Sequence, residues 1–514
     1  MVFQTVSTYG ASISLLISLS GTAFAVPAAT AHGIGQFPPA SSTPSSIDWK
    51  PCPPDWRRFL RCANFSVPVD WEKPHGEHFN LGLVKMSAWK TDLTEPNRTL
   101  TRIGSLFLNY GGPGASGIAA IRDFADRGSN VPQSIFESFD LIGLDPRGVG
   151  LSNGISCNNK IHAENVAYAP QNEEEFNKMV DKNRRYAESC RELTGPLFEH
   201  LDTISVAKDF EAVRVALNDG PMNFLGMSYG TMIGAQYAAL FPDNIRTLAL
   251  DSVLLHSPNE TMMLLDEATS IGLASKAYFE WASTSEVSEL RGQDVEAMYN
   301  AVLANATEKP IPVPDCPDNN ECTTFVTAPN IASSIRGYLG FPMLKPGQIG
   351  GSYAALSRAF INATEGNGSG FIRSNGPDAF LAIGCLDWVH SATSVSDLLA
   401  KQALLKQYAP ISGTAPGMWD LQTKCIGWPY KVKNPPKKLH IKTDATILVT
   451  NGINDAATPM VWAQGLMEQL ENAVFVTRKA GGHIGFNKGG ATTELIADYL
   501  VSSIAPEAGI TLDN

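Results

Sequence analysis

Apolar positions along this chain follow two alternating patterns. Short, mainly apolar runs recur at Arg102–Asn109 (RIGSLFLN), at the start of Ser138–Ser152 (SFDLIGLDPRGVGLS), and at Met222–Leu225, Arg246–Asp251, Ala445–Thr450 and Ala473–Thr477. Their strand-like length predicts strands buried on both faces. Between them, apolar residues fall at helical spacing: Val206, Phe210, Val213 and Leu217, then Met232, Ile233, Tyr237 and Leu240, stopped by Pro242. Residues 159–203 read as polar and helical, with the acidic run Glu173–Glu175 on a solvated face. FSVPVDW (65–71) and FNLGLVKMSAW (79–89) read as opening strands placed before a parallel sheet, and Glu494–Ile504 as a closing helix. The alternation stops after Asp251, where residues 255–440 turn to helices and loops, and resumes at Ala445. The expected architecture is α/β: a mostly parallel central sheet with a largely helical cap inserted before the last strands.

The ends of the chain change this picture. Residues 11–25 form an apolar run too short for a comfortable membrane span, with a small-residue cleavage site at Ala23-Phe24-Ala25. Residues 1–25 therefore read as a secretory signal peptide, with an uncleaved anchor as the rival reading, although the usual basic residue before the apolar run is missing. Residues 26–48 are an Ala/Pro/Ser-rich linker. The folded part divides into a first core segment (49–254), the cap (255–440) and a C-terminal core segment (441–514). Eight cysteines without a C-x-x-C suggest an oxidising compartment rather than zinc or redox chemistry. Pairing chain neighbours gives Cys52–Cys62, Cys157–Cys190, Cys316–Cys322 and Cys385–Cys425. Asn64, Asn97, Asn259, Asn305, Asn362 and Asn367 each open a glycosylation sequon. The 514 residues carry a net charge of −12 with no basic run, which argues against nucleic acid and anionic membrane surfaces.

The chemistry gathers at the strand ends. Gly226-Met227-Ser228-Tyr229-Gly230 lies between a strand and a helix, the context of a nucleophile elbow, in which two glycines let the chain turn sharply and expose the Ser228 hydroxyl. A Gly/Ser turn is the plain alternative in a chain with 44 glycines. The loop Tyr110–Gly117 holds four glycines, so backbone must approach something closely; backbone N–H groups of Gly112 and Tyr229 are the expected pair of oxyanion donors. A phosphate loop is the rival, but no G-K-[ST] follows. Asp455 and His483 each follow a late strand, giving the order Ser, Asp, His of α/β-hydrolases. His483 would move the Ser228 proton and Asp455 would hold the imidazole. His256, His390 and His440, and Asp387 and Asp444, compete for these roles from less suitable positions. An Arg147–Asp145 pair is expected to brace the adjoining loop.

These motifs resemble a known family. W49-x-x-C52, VPVDW, NYGGPGASG, DPRGVGLS, GMSYGTMIGAQYAALFP, AIGCLDW (382–388), CIGWP (425–429), NDAATP and GGH fall in one order over nearly the whole chain after Trp49. The pattern is similar to the secreted tripeptidyl-aminopeptidase branch of the proline-iminopeptidase family of serine peptidases, including its C-terminal segment. The resemblance implies an α/β-hydrolase core with a cap, no cofactor or metal, and exopeptidase action on peptides with free N-termini. Three departures stand out: Tyr110 in the glycine loop, LALDSVLLHS (248–257), which lacks a cap-side carboxylate, and Ala282 after Trp281. An aminopeptidase needs a carboxylate for the substrate ammonium, and Glu260, Asp266 and Glu267 are the candidates. An esterase or lactonase acting on a small metabolite, and an inactive hydrolase-fold binding protein, are the competing functions.

Overall fold

The computed structural model describes residues 46–89, 101–127, 130–314, 316, 324–340, 352–372, 378–414 and 416–513. The signal-peptide and nearly all of the linker reading, Asn97 and Cys322 lie outside these residues. Twelve strands are described: β1 Lys50–Pro51, β2 Leu60–Pro68, β3 His78–Met86, β4 Gly104–Asn109, β5 Phe139–Leu144, β6 Met222–Met227, β7 Ile245–Asp251, β8 Ile311–Pro312, β9 Phe325–Val326, β10 Ile447–Gly452, β11 Ala473–Arg478 and β12 Thr511–Leu512. Ten form one sheet in the order β1-β2-β3-β5-β4-β6-β7-β10-β11-β12, and β8 pairs with β9. The β1–β2, β2–β3 and β3–β5 pairs are antiparallel, and from β5 to β12 every pair is parallel.

Every residue of β4, β5, β6 and β10 is buried, because helices cover both faces of the sheet. Successive side chains alternate between the two layers. Phe107 packs with Phe210, Phe224 and Leu248 on one face, while Leu106 and Leu108 join Leu141, Leu225, Ile496 and Leu500 on the other. β2 starts at Leu60, before the expected FSVPVDW segment, and stops at Pro68. Its register against β3, from Leu60↔Met86 to Pro68↔His78, shows why: a full-length partner strand was available to pair it.

Between β7 and β10 lie helices Glu260–Thr284, Val295–Glu308, Ala328–Gly340, Ser352–Thr364, Asp378–Asp387, Val395–Tyr408 and Gly417–Cys425. Tyr278, Tyr299, Ile331, Leu356 and Phe360 give this region an apolar cluster of its own. The helix Asp378–Asp387 behaves differently, since Leu381, Ile383 and Leu386 enter the same cluster as Phe210 and Phe224 of the sheet layer.

Disulfides join Cys52 to Cys62, Cys157 to Cys190 and Cys385 to Cys425. Cys316 is also disulfide-bonded, and no described cysteine is free. Asn64, Asn259 and Asn305 are exposed, whereas Asn362 and Asn367 are half-buried. No helix among the described residues is long and apolar enough to cross a membrane.

Candidate active site

The register of the sheet brings Met227, Asp251 and Thr450 into one row at the carboxyl ends of β6, β7 and β10, so the loops that follow them converge. Ser228 follows β6 with φ 56° and ψ −127°, a left-handed conformation disfavoured for a non-glycine residue, and the helix Tyr229–Leu240 begins directly after it. The flanking glycines make that turn feasible. A Cβ on Gly226 would lie 2.3 Å from the Gly230 carbonyl oxygen, and one on Gly230 would lie 2.4 Å from the Asn109 carbonyl oxygen. The serine backbone is clamped on both sides: Ser228 N donates to the Asp251 carbonyl at 3.0 Å, and Thr231 N and Oγ1 donate to the Ser228 carbonyl at 2.9 and 2.6 Å. The Ser228 residue itself is only half-buried.

The glycine loop presses against this turn. Gly111 has φ 94°, and a Cβ there would lie 2.6 Å from the Met227 carbonyl oxygen and 2.7 Å from Tyr229 N. Among the described residues, neither the Gly112 N–H nor the Tyr229 N–H has a protein acceptor. Tyr229 is also the first residue of its helix, where unpaired N–H groups and the helix dipole favour negative charge. Tyr110, one of the departures noted above, packs against Phe124 with ring centroids 6.0 Å apart, and burial raises its phenol pKa. Its side chain therefore serves the apolar layer under the loop.

Asp455 and His483 meet. Imidazole Nδ1 lies 3.0 and 2.9 Å from the two Asp455 carboxylate oxygens. Asp455 is fully buried and also accepts from Ala457 N, Thr458 N and Thr458 Oγ1, at 2.9, 3.0 and 2.9 Å. Burial alone would raise the Asp455 pKa; the His483 charge and these hydrogen bonds outweigh it and bring it down to about 2. No hydrogen bond joins Ser228 Oγ to His483 in this structure. Catalytic contacts of this kind commonly tighten only when substrate is bound.

Several supporting residues escaped the sequence reading. The Asp251 carboxylate accepts from Gly485 N, Phe486 N and Thr450 Oγ1 at 2.7–2.8 Å, while its carbonyl holds Ser228 N. One residue thus ties the Ser228 turn to the His483 loop. Buried Arg478 donates to the carbonyls of Ala480, Gly481 and Gly482, and His483 N donates to the Gly340 carbonyl at 2.6 Å. The available signal was a charged residue closing an otherwise apolar strand.

The expected Arg147–Asp145 pair is not formed. Asp145 instead accepts from Ser116 Oγ, Ile118 N and Leu151 N, while Arg147 pairs with Asp209 through two contacts of 2.7 and 2.6 Å, both side chains fully buried. The helix Thr203–Leu217 carries Asp209 to the guanidinium, and a buried Arg takes the partner that offers both oxygens. The rival histidines have other partners: His256 bonds the Asp387 carbonyl, and burial lowers its pKa to about 4; His390 meets Glu260, and exposed His440 meets Glu471. Among the described residues one cluster has metal-ligand spacing, Cys385, His390 and Cys425, and its two cysteines are bonded to each other.

The chain is similar to several known proteins. The family model for the α/β-hydrolase fold matches residues 104–281, and the model for TAP-like proteins matches residues 413–511. The tripeptidyl aminopeptidase of Streptomyces lividans is 28% identical over 464 residues, covering 86% of this chain and 82% of the relative. Serine protease Hip1 of Mycobacterium tuberculosis is 26% identical over 497 residues, covering 90% of each chain. Carboxylesterase B of Mycobacterium tuberculosis is 26% identical over 490 residues, covering 90% of this chain and 89% of that one. Fold and relatives define a serine hydrolase. Over these two segments the chain is similar to TAP-like proteins of the α/β-hydrolase fold.

Proposed function

We propose that the protein is a secreted aminopeptidase that removes residues or short peptides from free N-termini through Ser228, His483 and Asp455. The observation carrying this reading is the two-oxygen contact of Asp455 with His483 Nδ1, beside the strained backbone of Ser228. Ser228 Oγ attacks the scissile carbonyl while His483 Nε2 takes its proton. Asp455 keeps hydrogen on Nδ1, which leaves Nε2 free to act as base, and stabilises the imidazolium. The Gly112 and Tyr229 N–H groups receive the oxyanion. His483 then protonates the leaving amine, and a water molecule, deprotonated in the same way, releases the acyl group from Ser228.

The substrate class turns on the ammonium partner. Glu260 is occupied by Lys401 at 2.6 Å and His390 at 3.1 Å, and Glu267 by Arg336 at 2.9 Å and two backbone N–H groups. Asp266 has no cationic partner among the described residues; it accepts from Trp462 Nε1 at 3.0 Å, and burial raises its pKa. One turn further along the same helix, Ser270 Oγ donates to the Asp455 carbonyl, so this helix face adjoins the site. Asp266 is therefore the carboxylate assigned to the substrate amine. Secretion is supported by the disulfides and by the apolar run at residues 11–25.

The esterase alternative draws support from carboxylesterase B, which is as similar as the protease relative. The test is purified protein offered a free-amine tripeptide anilide, its N-acetylated twin and a short-chain nitrophenyl ester. An ammonium–carboxylate contact is worth ~1.5–3 kcal/mol, so acetylation should lower kcat/KM by roughly tenfold to a hundredfold. Equal cleavage of both peptides, or turnover of the ester alone, refutes the aminopeptidase reading.

A further inference from the structure

Tyr229 contributes more to the fold than its N–H. Its ring is buried, and its hydroxyl lies 2.5 Å from Thr203 Oγ1. Thr203 Oγ1 donates in turn to Asp387 Oδ2 at 2.5 Å, and Thr203 N donates to Asp387 Oδ1 at 2.9 Å. Asn434 Nδ2 adds a contact to Oδ1 at 3.1 Å, and Tyr229 Oη lies 3.4 Å from Oδ2. Asp387 is fully buried and closes the helix Asp378–Asp387. At the start of that same helix, Ala379 sits under the glycine loop, where a Cβ on Gly114 would come within 2.9 Å of Ala379 Cβ. One short helix therefore touches both loops that carry the oxyanion donors.

Counting protons gives this chain a direction. Thr203 N and Asn434 Nδ2 can only donate, so an ionised Asp387 suits all its neighbours. Tyr229 O–H then donates to Thr203 Oγ1, whose own hydrogen goes to Asp387. If Asp387 is protonated, the hydrogen sits on Oδ2, because Oδ1 already receives Thr203 N and Asn434 Nδ2; given to the nearer Thr203 Oγ1 it reverses the chain and leaves the Tyr229 hydroxyl only its long 3.4 Å approach to Oδ2. We propose that Asp387 is a positioning residue: through Thr203 it holds the Tyr229 ring, and with it the Tyr229 N–H, in register to receive the oxyanion. This inference rests on the assignment of Tyr229 as an oxyanion donor.

The charged and titratable neighbours set when this chain operates. Among the described residues no cation pairs with Asp387; Asp202 repels its charge, Tyr229 faces its carboxylate, and His256 bonds its backbone carbonyl. Burial, with Asp202, raises the Asp387 pKa to about 7, although the Thr203 and Asn434 hydrogen bonds oppose this. Protonation should therefore loosen the donor as pH falls below neutrality.

The test is Asp387→Asn in the full-length enzyme, with active sites counted by a fluorophosphonate and kcat and KM measured on the free-amine tripeptide anilide from acid to neutral pH. The amide oxygen of the introduced asparagine can keep the hydrogen bonds from Thr203 N and Asn434 Nδ2 at the Oδ1 position, and its NH2 then faces Thr203 Oγ1 as the protonated carboxyl would, so the variant should fold. The expected result is a fall in kcat of roughly tenfold to a hundredfold with KM little changed, because a slightly displaced donor fails mainly in the transition state. The acid limb of the wild-type kcat profile should carry an extra bend that the variant lacks. Tyr229→Phe should lose a similar factor without adding to Asp387→Asn, and it decides the matter if the first variant does not fold; Thr203→Ser should keep wild-type kcat. A folded Asp387→Asn or Tyr229→Phe enzyme with kcat within about twofold of wild type across this range overturns the proposal. Failure of the wild-type enzyme to react with the fluorophosphonate would instead refute the Ser228 reading.

Discussion

Replacing Asp455 by asparagine tests the site at the contact on which the mechanism depends. The amide oxygen can keep the hydrogen bonds from Ala457 N and Thr458 N, at 2.9 and 3.0 Å in the native protein, so the loop should hold its shape. The amide nitrogen, however, turns a donor toward His483 Nδ1, where Asp455 offers two acceptor oxygens. The imidazole then places its hydrogen on Nε2 and can no longer take the Ser228 proton. Loss of the correct tautomer in a Ser-His-Asp site costs on the order of 10⁴ in kcat, which corresponds to about 5 kcal/mol of transition-state stabilisation.

The same substitution has a separate signature in stability. The Asp455 pKa is lowered from 3.8 to about 2, so the native state binds its proton less readily than the unfolded chain. A depressed carboxylate contributes stability at pH values above the unfolded pKa and loses it as pH falls through the folded one; here the window runs from about 4 down to about 2, and the contribution at neutral pH is about 2 kcal/mol. Chemical denaturation of wild type and Asp455→Asn should therefore differ by about this amount at pH 7 and converge toward pH 2. A folded variant that keeps kcat within about tenfold of wild type refutes the assignment of Asp455 as the residue that fixes the tautomer.

Other outcomes follow from single contacts. Ser228→Ala should lower kcat on the order of a millionfold with folding intact, measured by anilide hydrolysis; appreciable residual activity would remove the nucleophile assignment. Gly230→Ala should destabilise the elbow by about 1–3 kcal/mol and reduce activity, because its Cβ meets the Asn109 carbonyl at 2.4 Å, whereas Gly272→Ala, with nothing within 4 Å in a helix, should be neutral or slightly stabilising. Asp266→Asn should abolish the preference for the free amine over the acetylated peptide, a roughly tenfold to hundredfold effect, while leaving ester turnover unchanged. Replacing Cys385 and Cys425 together by alanine should cost about 2–4 kcal/mol in denaturation, since their bond closes a 40-residue separation.

What could be read from the sequence was what is local to it. Ser228 is legible because strand, glycines and helix are contiguous, and each glycine is fixed by a backbone atom within a few ångströms. Asp455 and His483 are legible because parallel strands place their following loops at one edge of the sheet. The choice of partner among buried charges was not legible. Asp145 and Arg147 are two residues apart, yet the arginine pairs with Asp209, 62 positions away, and Asp145 turns to the glycine-loop helix. Asp387 meets Thr203 across 184 positions, and Asp251 meets Gly485 across 234. No pattern along the chain ranks such pairings, because they follow from which helix packs on which loop. The sequence does limit where to look for them. A charged side chain buried at the end of an apolar strand, as at Asp251 and Arg478, must find a partner or not fold, and at the carboxyl edge of a parallel sheet the nearest unpaired backbone groups belong to the active-site loops.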